Sequence, residues 1–364
     1  MNRVTVFCPS LNGGGAERVI VTVVNSLSNR GYDVELVLLR TEGEFYSLVD
    51  DEVNIIELET DRIRYSPISL AKYIKRRDPD VLLSTINGAN IVAVLTTSLL
   101  QNSPPVVIRV PKFPEYETNK SKYKRKAIYI ASDLLFNNSD QVIAISKGLN
   151  DQLIDEFGIK KEKLSVIYNP VYDTRVQSGS REPVNHSPFD QSSDIVLSVG
   201  RLVPAKGYDI LLRSFKKIID QREANLVILG EGPERERLEQ LSIDLGIKSC
   251  VYFPGFKQNP YKYMSNADVF VSSSRSEGFG NAIVEALGCE TSVVATRCPS
   301  GPAEILADGR YGRLVPPENP HELARAIIES INCPTDRELL RSRAEDFSQE
   351  KIIDEYEQLL LSLT

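Results

Sequence analysis

Histidine is nearly missing from this chain: of 364 residues only His186 and His321 are histidine. The five cysteines (Cys8, Cys250, Cys289, Cys298, Cys333) form no Cys-x-x-Cys pair and have no histidine close by. That scatter is against a zinc site and gives no disulfide framework, which points to a reducing cytosol. No run of 18 apolar residues occurs; the longest candidate, Ile91 to Leu100, contains Thr96, Thr97 and Ser98 and is too short to span a bilayer. Met1 to Pro9 lacks the apolar core of a signal peptide. The expected location is therefore cytoplasmic, with any membrane contact peripheral. Neither half carries Gly-x-Gly-x-x-Gly after its first strand, which disfavours a dinucleotide-dependent oxidoreductase. An excess of positive charge is also missing. Lys+Arg and Asp+Glu balance at 21 each through Val171, and stand at 22 against 29 beyond it, so all seven excess negatives lie in the second half. No nucleic-acid partner is expected.

What is present is a repeated alternation of short apolar strands and amphipathic helices. Val4 to Phe7, Ala16 to Leu27 and Val34 to Leu39 make a β-α-β unit within about forty residues, which predicts a parallel sheet. The alternation runs on to the strand 164–167 and the exit Asn169-Pro170. It pauses over 172–193, rich in Ser, Pro, Gln and Asn, and restarts at Ile195. The expected fold is α/β, with two Rossmann-like, doubly wound parallel-sheet domains. Their bounds are 1–171 for the N-terminal acceptor-binding domain, 172–193 for a linker, 194–347 for a C-terminal donor-binding domain, and 348–364 for a last helix.

The chemistry concentrates at the carboxyl ends of strands in the second half. Gly200-Arg201 to Lys206-Gly207 places two cations five residues apart in a strand-to-helix loop, where a guanidinium fork and a mobile ammonium suit a diphosphate. Gly230-Glu231-Gly232-Pro233 follows the next strand and leaves room for a nucleoside against backbone; Gly255-Phe256 offers backbone groups to a base edge. Ser273 to Leu287 holds Glu277, Gly278, Phe279, Gly280, Asn281, Ala282 and Glu285, with Asn281 as the expected N-cap of a helix whose free N–H groups favour an anion. Each motif alone has a bland reading as a solvated charge or a turn. All four in this order at successive strand ends are hard to explain by packing.

These residues resemble a retaining glycosyltransferase of family 4 with the GT-B fold, two Rossmann-like domains facing across a cleft. The resemblance rests on Asn12-Gly13-Gly14-Gly15-Ala16-Glu17, on Val166-Ile167-Tyr168-Asn169-Pro170, on Gly200-Arg201 with Lys206-Gly207, and on Glu277-x7-Glu285. Ser300 to Leu306 (Ser-Gly-Pro-Ala-Glu-Ile-Leu) further resembles the branch that builds lipid-linked and surface polysaccharides. The resemblance implies that Arg201 and Lys206 neutralise the donor's β-phosphate, that Glu285 holds the ribose, and that Glu277 holds the donor sugar. Backbone N–H groups after Phe279 contact sugar or diphosphate, and Gly14 and Gly15 let the first helix approach the reaction centre. The implied donor is a nucleotide-diphosphate sugar, UDP-linked by preference, with GDP-mannose as the alternative. The implied acceptor is a glycan carried on a polyprenyl phosphate. No metal and no other cofactor is expected.

One departure stands out. Relatives often place a histidine near the end of the fifth strand, where this chain reads Val107-Ile108-Arg109-Val110-Pro111-Lys112, and Arg109 or Lys112 is the candidate to take over its electrostatic task. The basic stretch Lys112 to Lys126, interleaved with Tyr116 and Tyr123, reads either as a solvated helix face or as a patch for anionic lipid. Rival functions are a nucleotide-sugar epimerase on the same plan and a non-catalytic scaffold subunit.

Overall fold

The computed structural model describes residues 3–12, 14–58, 60–113, 122–184, 187–189 and 193–364. The chain forms two compact units, Met1–Pro170 together with Gln349–Thr364, and Val171–Ser348.

The first unit holds β1 (Arg3–Phe7), α1 (Gly15–Asn29), β2 (Asp33–Leu38), β3 (Asn54–Glu57), α2 (Ser66–Arg77), β4 (Val81–Thr85) and α3 (Asn87–Ser98). It continues through β5 (Val106–Val110), α4 (Lys122–Leu135), β6 (Gln141–Ala144), α5 (Lys147–Phe157) and β7 (Leu164–Val166). The strands form one parallel sheet in the order β3-β2-β1-β4-β5-β6-β7. Strands such as Val106–Val110 are buried along their whole length, because helices cover both faces of a parallel sheet. Local signals set the helix ends. Ser146 Oγ accepts from Leu149 N at 3.2 Å to start α5, and Asp78, in a left-handed conformation before Pro79, stops α2. Glu35, fully buried, is held by Tyr73 and Arg77, so this interior carboxylate is a structural group.

The second unit holds α6 (Thr174–Gly179), β8 (Asp194–Val199), α7 (Tyr208–Ile219), β9 (Ala224–Leu229), α8 (Arg235–Asp244), β10 (Val251–Gly255) and α9 (Tyr261–Ser265). It goes on through β11 (Val269–Ser272), α10 (Asn281–Gly288), β12 (Val293–Thr296), α11 (Pro302–Ile305), β13 (Arg313–Val315), α12 (Pro320–Asn332) and α13 (Arg337–Glu345). Its parallel sheet runs β10-β9-β8-β11-β12-β13. In α7 the residues Leu211, Leu212, Phe215 and Ile218 face the core, the spacing of one helical stripe. The last helix, α14 (Gln349–Leu361), belongs to the first unit. There Ile352, Ile353, Tyr356 and Leu360 are buried in the cluster that includes Ile20, Val23, Val24 and Leu27 of α1.

The segment 172–193 is not a linker over its first part. Asp173 Oδ1 accepts from Arg175 N and Val176 N to cap α6, and Val176 and Gly179 are buried. Tyr172 is also buried, and its ring lies so close to Gly288 that a Cβ there would fall 2.6 Å from Cδ2. The polar composition hid one short helix with a single apolar anchor. His186, within that segment, lies outside the described residues, as do Gly13 and 114–121.

Candidate active site

The order of the second sheet reverses between β8 and β11, the neighbouring strands from which the chain winds in opposite directions. A crevice opens outside the carboxyl ends of strands at such a point. The loops that leave these two strands, 200–207 and 273–280, carry Arg201, Lys206 and Glu277.

One close approach joins these two loops, and a second packs the loop after β9 against 200–207. Gly207, at φ +63°, lies on the Ser273 carbonyl, and a Cβ there would sit 2.1 Å from that oxygen. Gly230, at φ +138°, lies on the Gly200 carbonyl in the same way, with a Cβ 2.0 Å from it. Both backbones need glycine. Ser273 Oγ donates to the Lys206 carbonyl at 2.9 Å, which ties the two loops through the backbone of the residue that carries the cation.

At the centre Lys206 Nζ lies 2.6 Å from Glu277 Oε1, and Ser274 Oγ donates to the same oxygen at 2.5 Å. The glutamate side chain is 11% exposed and the lysine 27%. A small cleft here is lined by Lys206, Tyr208, Ser274, Glu277, Gly280 and Ala282. The buried Tyr208 hydroxyl borders it; burial raises its pKa, the Ser198 hydroxyl opposes this and the Glu277 charge adds to it. Beneath the pair, burial pushes the Cys298 thiol up to about 12, with Glu277 adding to the rise and Lys206 opposing it. Arg201 is exposed, and among the described residues its guanidinium has no partner.

The remaining expected residues fall around this centre. Gly280, not Asn281, caps α10, so Asn281 is the first helical residue. The reason is local. The chain enters the helix at φ +112°, a conformation that asparagine adopts at a cost and glycine does not. Gly278 lies in the loop, and Phe279 is buried with its ring edge-on to Phe347 at 5.5 Å. Gly232 follows β9 and Phe256 is 59% exposed after β10. Glu285 sits one turn into α10, away from the lysine cleft, where the Tyr261 hydroxyl approaches its Oε1 at 3.5 Å. The two glutamates thus occupy separate positions along one rim.

In the first unit, Gly14 caps α1 in extended conformation, and the Glu17 carboxylate folds back over it. Gly15 is the first residue of that helix. Arg109 is fully buried: Nη2 donates to Asn169 Oδ1 at 2.6 Å and Nη1 to Thr85 Oγ1 at 3.2 Å. Lys112 is half-buried, and its carbonyl accepts from Asn87 Nδ2 at 3.1 Å. The chain has one Asp-x-Asp triplet, Asp78-Pro79-Asp80, at the amino end of β4, where Asp80 accepts from the Arg3 backbone N–H at 3.0 Å. Sequence reasoning missed Arg275 and Tyr208, since a charge between serines and a helix-opening tyrosine carry no motif.

Two parallel-sheet units of this topology define the GT-B class of glycosyltransferases. The comparisons agree. The domain described as Glycosyl transferases group 1 matches residues 181–347, and the one described as Glycosyltransferase Family 4 matches residues 13–175. The lipopolysaccharide core biosynthesis glycosyltransferase LpsE of Rhizobium meliloti is 30% identical over 359 residues, covering 96% of each chain. A diphospho-undecaprenol 4-alpha-N-acetylgalactosaminyltransferase of Campylobacter jejuni is 26% identical over 94% of each. Among solved structures, HepE of Anabaena in complex with UDP and glucose superposes with a TM-score of 0.80 at 21% identity over 100% of both chains. This chain belongs to the family 4 glycosyltransferases.

Proposed function

We propose that the protein moves a sugar from a nucleotide-diphosphate sugar, a UDP-sugar by preference, to a lipid-linked glycan, with retention and without a metal. The observation that carries this reading is the Lys206–Glu277 pair at the switch point of the second sheet, with the exposed, unpaired Arg201 on the same loop. Breaking the bond from the anomeric carbon to the β-phosphate oxygen leaves an oxocarbenium-like sugar and a diphosphate with one more negative charge. Arg201 and Lys206 neutralise that charge, the kind of contact whose loss typically costs on the order of 3 kcal/mol. The acceptor oxygen bonds the anomeric carbon on the same face, and its proton passes to the departing phosphate. Glu277 holds the sugar hydroxyls and Glu285 the ribose. The two cations do the work a metal would do at the leaving group. The UDP preference draws on HepE, and the lipid-linked acceptor on the names of the relatives from Campylobacter and Rhizobium.

The surface of α4 supports a lipid-borne acceptor. Tyr123, Ala127, Ile130 and Leu134 are exposed at helical spacing, Tyr123 at 88% and Leu134 at 68%, with Lys124 and Lys126 exposed beside them. An apolar stripe flanked by lysines is the pattern of a helix lying in a lipid interface. Lys120 and Tyr116 fall outside the described residues. No described helix is long and apolar enough to cross a membrane.

The test is thermal-shift binding against UDP, GDP, ADP and CMP and their common sugars, run first without and then with EDTA, for the wild type and Glu285→Ala. A ligand at 100 times its Kd stabilises by about 2.7 kcal/mol. A shift with one diphosphate family, weakened in the variant, is the expected result. A flat response from folded protein overturns the donor site. Loss of the shift on adding EDTA overturns the metal-free reading alone.

A further inference from the structure

The geometry points to Arg275 as a positioning residue that sets Lys206 against Glu277; this rests on the donor-site reading above. Its guanidinium donates all five of its N–H groups to protein acceptors. Nη1 donates to the Pro204 carbonyl and to Asp209 Oδ1, both at 2.8 Å. Nη2 donates to Asp209 Oδ2 at 2.9 Å and to Glu318 Oε2 at 3.3 Å, and Nε donates to Glu318 Oε1. The Arg275 backbone N–H adds a bond to the Ala205 carbonyl at 2.8 Å. With every donor used and two carboxylates in contact, this side chain has nothing left to offer a phosphate. Its work is done on the protein.

The work falls on the loop that carries the lysine. Pro204–Lys206 is a single 3-10 turn, a form too short to hold itself. Arg275 grips that turn at Pro204 and Ala205, and grips the first turn of α7 at Asp209, so Lys206 lies between two points fixed by one residue. Arg275 itself stands two residues before Glu277. The lysine and the glutamate are therefore indexed to the same guanidinium from opposite sides. The third arm, Glu318, sits at φ +58° in the segment before α12 and joins that loop to the other two. A bidentate fork with three further contacts cannot be reproduced by lysine. The pKa directions agree: Asp209 first, then Glu318, raises Arg275, while Arg275 outweighs burial to lower Asp209.

The experiment is a double-mutant cycle on the full chain: wild type, Lys206→Ala, Arg275→Ala and the double variant. UDP and GDP binding is read by calorimetry, and donor kcat/KM by transfer assay. Misplacing the lysine by about 1 Å is expected to cost Arg275→Ala on the order of 100-fold in kcat/KM. In the Lys206→Ala background the same change should cost no more than about twofold, because the residue it positions is gone. Arg275→Lys should rescue little of the loss. Equal losses in both backgrounds would mean that Arg275 only stabilises the unit, and would overturn the inference. So would full diphosphate affinity and kcat/KM in Arg275→Ala where Lys206→Ala has lost them. Should Arg275→Ala fail to fold, Asp209→Asn and Glu318→Gln each remove one arm and carry the same cycle. A wild type that binds no diphosphate overturns the donor site first, and this inference with it.

Discussion

Lys206 Nζ and Glu277 Oε1 are 2.6 Å apart. The cation proposed for the leaving group and the carboxylate proposed for the sugar are thus each other's partner until a ligand separates them. A bound diphosphate has to win the lysine from the glutamate. A sugar hydroxyl on Glu277 replaces part of what the glutamate loses.

A signed prediction follows for Glu277→Gln. Removing the carboxylate charge frees the lysine, so the variant should bind free UDP more tightly than the wild type while transferring sugar far more slowly. Titration calorimetry with UDP, beside a transfer assay, decides it. Weaker UDP binding in Glu277→Gln would show that the pair is not in competition with the diphosphate.

The α4 stripe predicts lipid dependence with a defined origin. Wild type should sediment with anionic liposomes and not with neutral ones, and each exposed lysine should contribute about 1 kcal/mol near such a surface. Ile130→Ser with Leu134→Ser should abolish retention without lowering the melting temperature, since both side chains already face solvent. Equal retention on the two liposome types refutes the patch.

Thiol chemistry is predictable from burial. Cys333 is exposed and Cys250 half-buried, whereas Cys8, Cys289 and Cys298 are buried, and all five are free. Burial pushes the Cys8 and Cys298 thiols from 9.0 up to about 12, Glu17 adding to the first and Glu277 to the second, and it raises Cys289 as well. In native protein an aromatic disulfide reagent should titrate Cys333, then Cys250, and reach the others only on unfolding. Because the folded thiols hold their protons after the unfolded ones ionise, their contribution to stability is complete below about pH 9 and declines as pH climbs toward 12. The slope approaches roughly 1.4 kcal/mol per pH unit for each such thiol. Urea midpoints at pH 8, 9 and 10 test the sign: a midpoint that rises over this range contradicts it.

Arg109 allows a contrast between two substitutions. Among the described residues no carboxylate pairs with this fully buried cation; it donates to the neutral Asn169 and Thr85, and the neutral Tyr356 hydroxyl also feels its charge. Replacing a buried charge by an apolar side chain of similar length is often neutral. Arg109→Met should therefore alter unfolding free energy by less than about 1 kcal/mol, while Asn169→Leu, which strips the charge of its best acceptor, should cost roughly 1–3 kcal/mol. Denaturant melts that reverse this order would show the guanidinium to be stabilising in its own right.

What the sequence made legible depended on range. The β-α alternation is local, so the two sheets follow from strand lengths and apolar runs. The carboxyl-end motifs are local too, and Lys206 and Glu277, 71 positions apart, meet because both loops leave neighbouring strands. Arg275 was illegible because its partners Asp209 and Glu318 lie 66 and 43 residues away, one in a helix turn and one in a loop, with no motif of their own. Arg109 is expected at the site from its place at a strand end; what the sequence does not show is that β5 runs through the middle of its sheet and leaves the side chain fully buried. The capping error at Asn281 has a different origin: a backbone angle at Gly280 decided it, and residue type alone ranks asparagine higher.

The placement of α14 has a bearing on how the protein is made. Four buried side chains of that helix complete the core of the unit that begins at β1. Each contributes about 1.5–3 kcal/mol by burial, together comparable to the whole stability of a domain. A ribosome delivers them only after the entire second unit has emerged. The first unit, although synthesised first, is therefore expected to complete its core along α1 only after the second has emerged, so that the two should finish in the reverse of their order in the gene. A nascent chain stalled before Gln349 should accordingly present a protease-resistant second unit attached to a protease-sensitive first one.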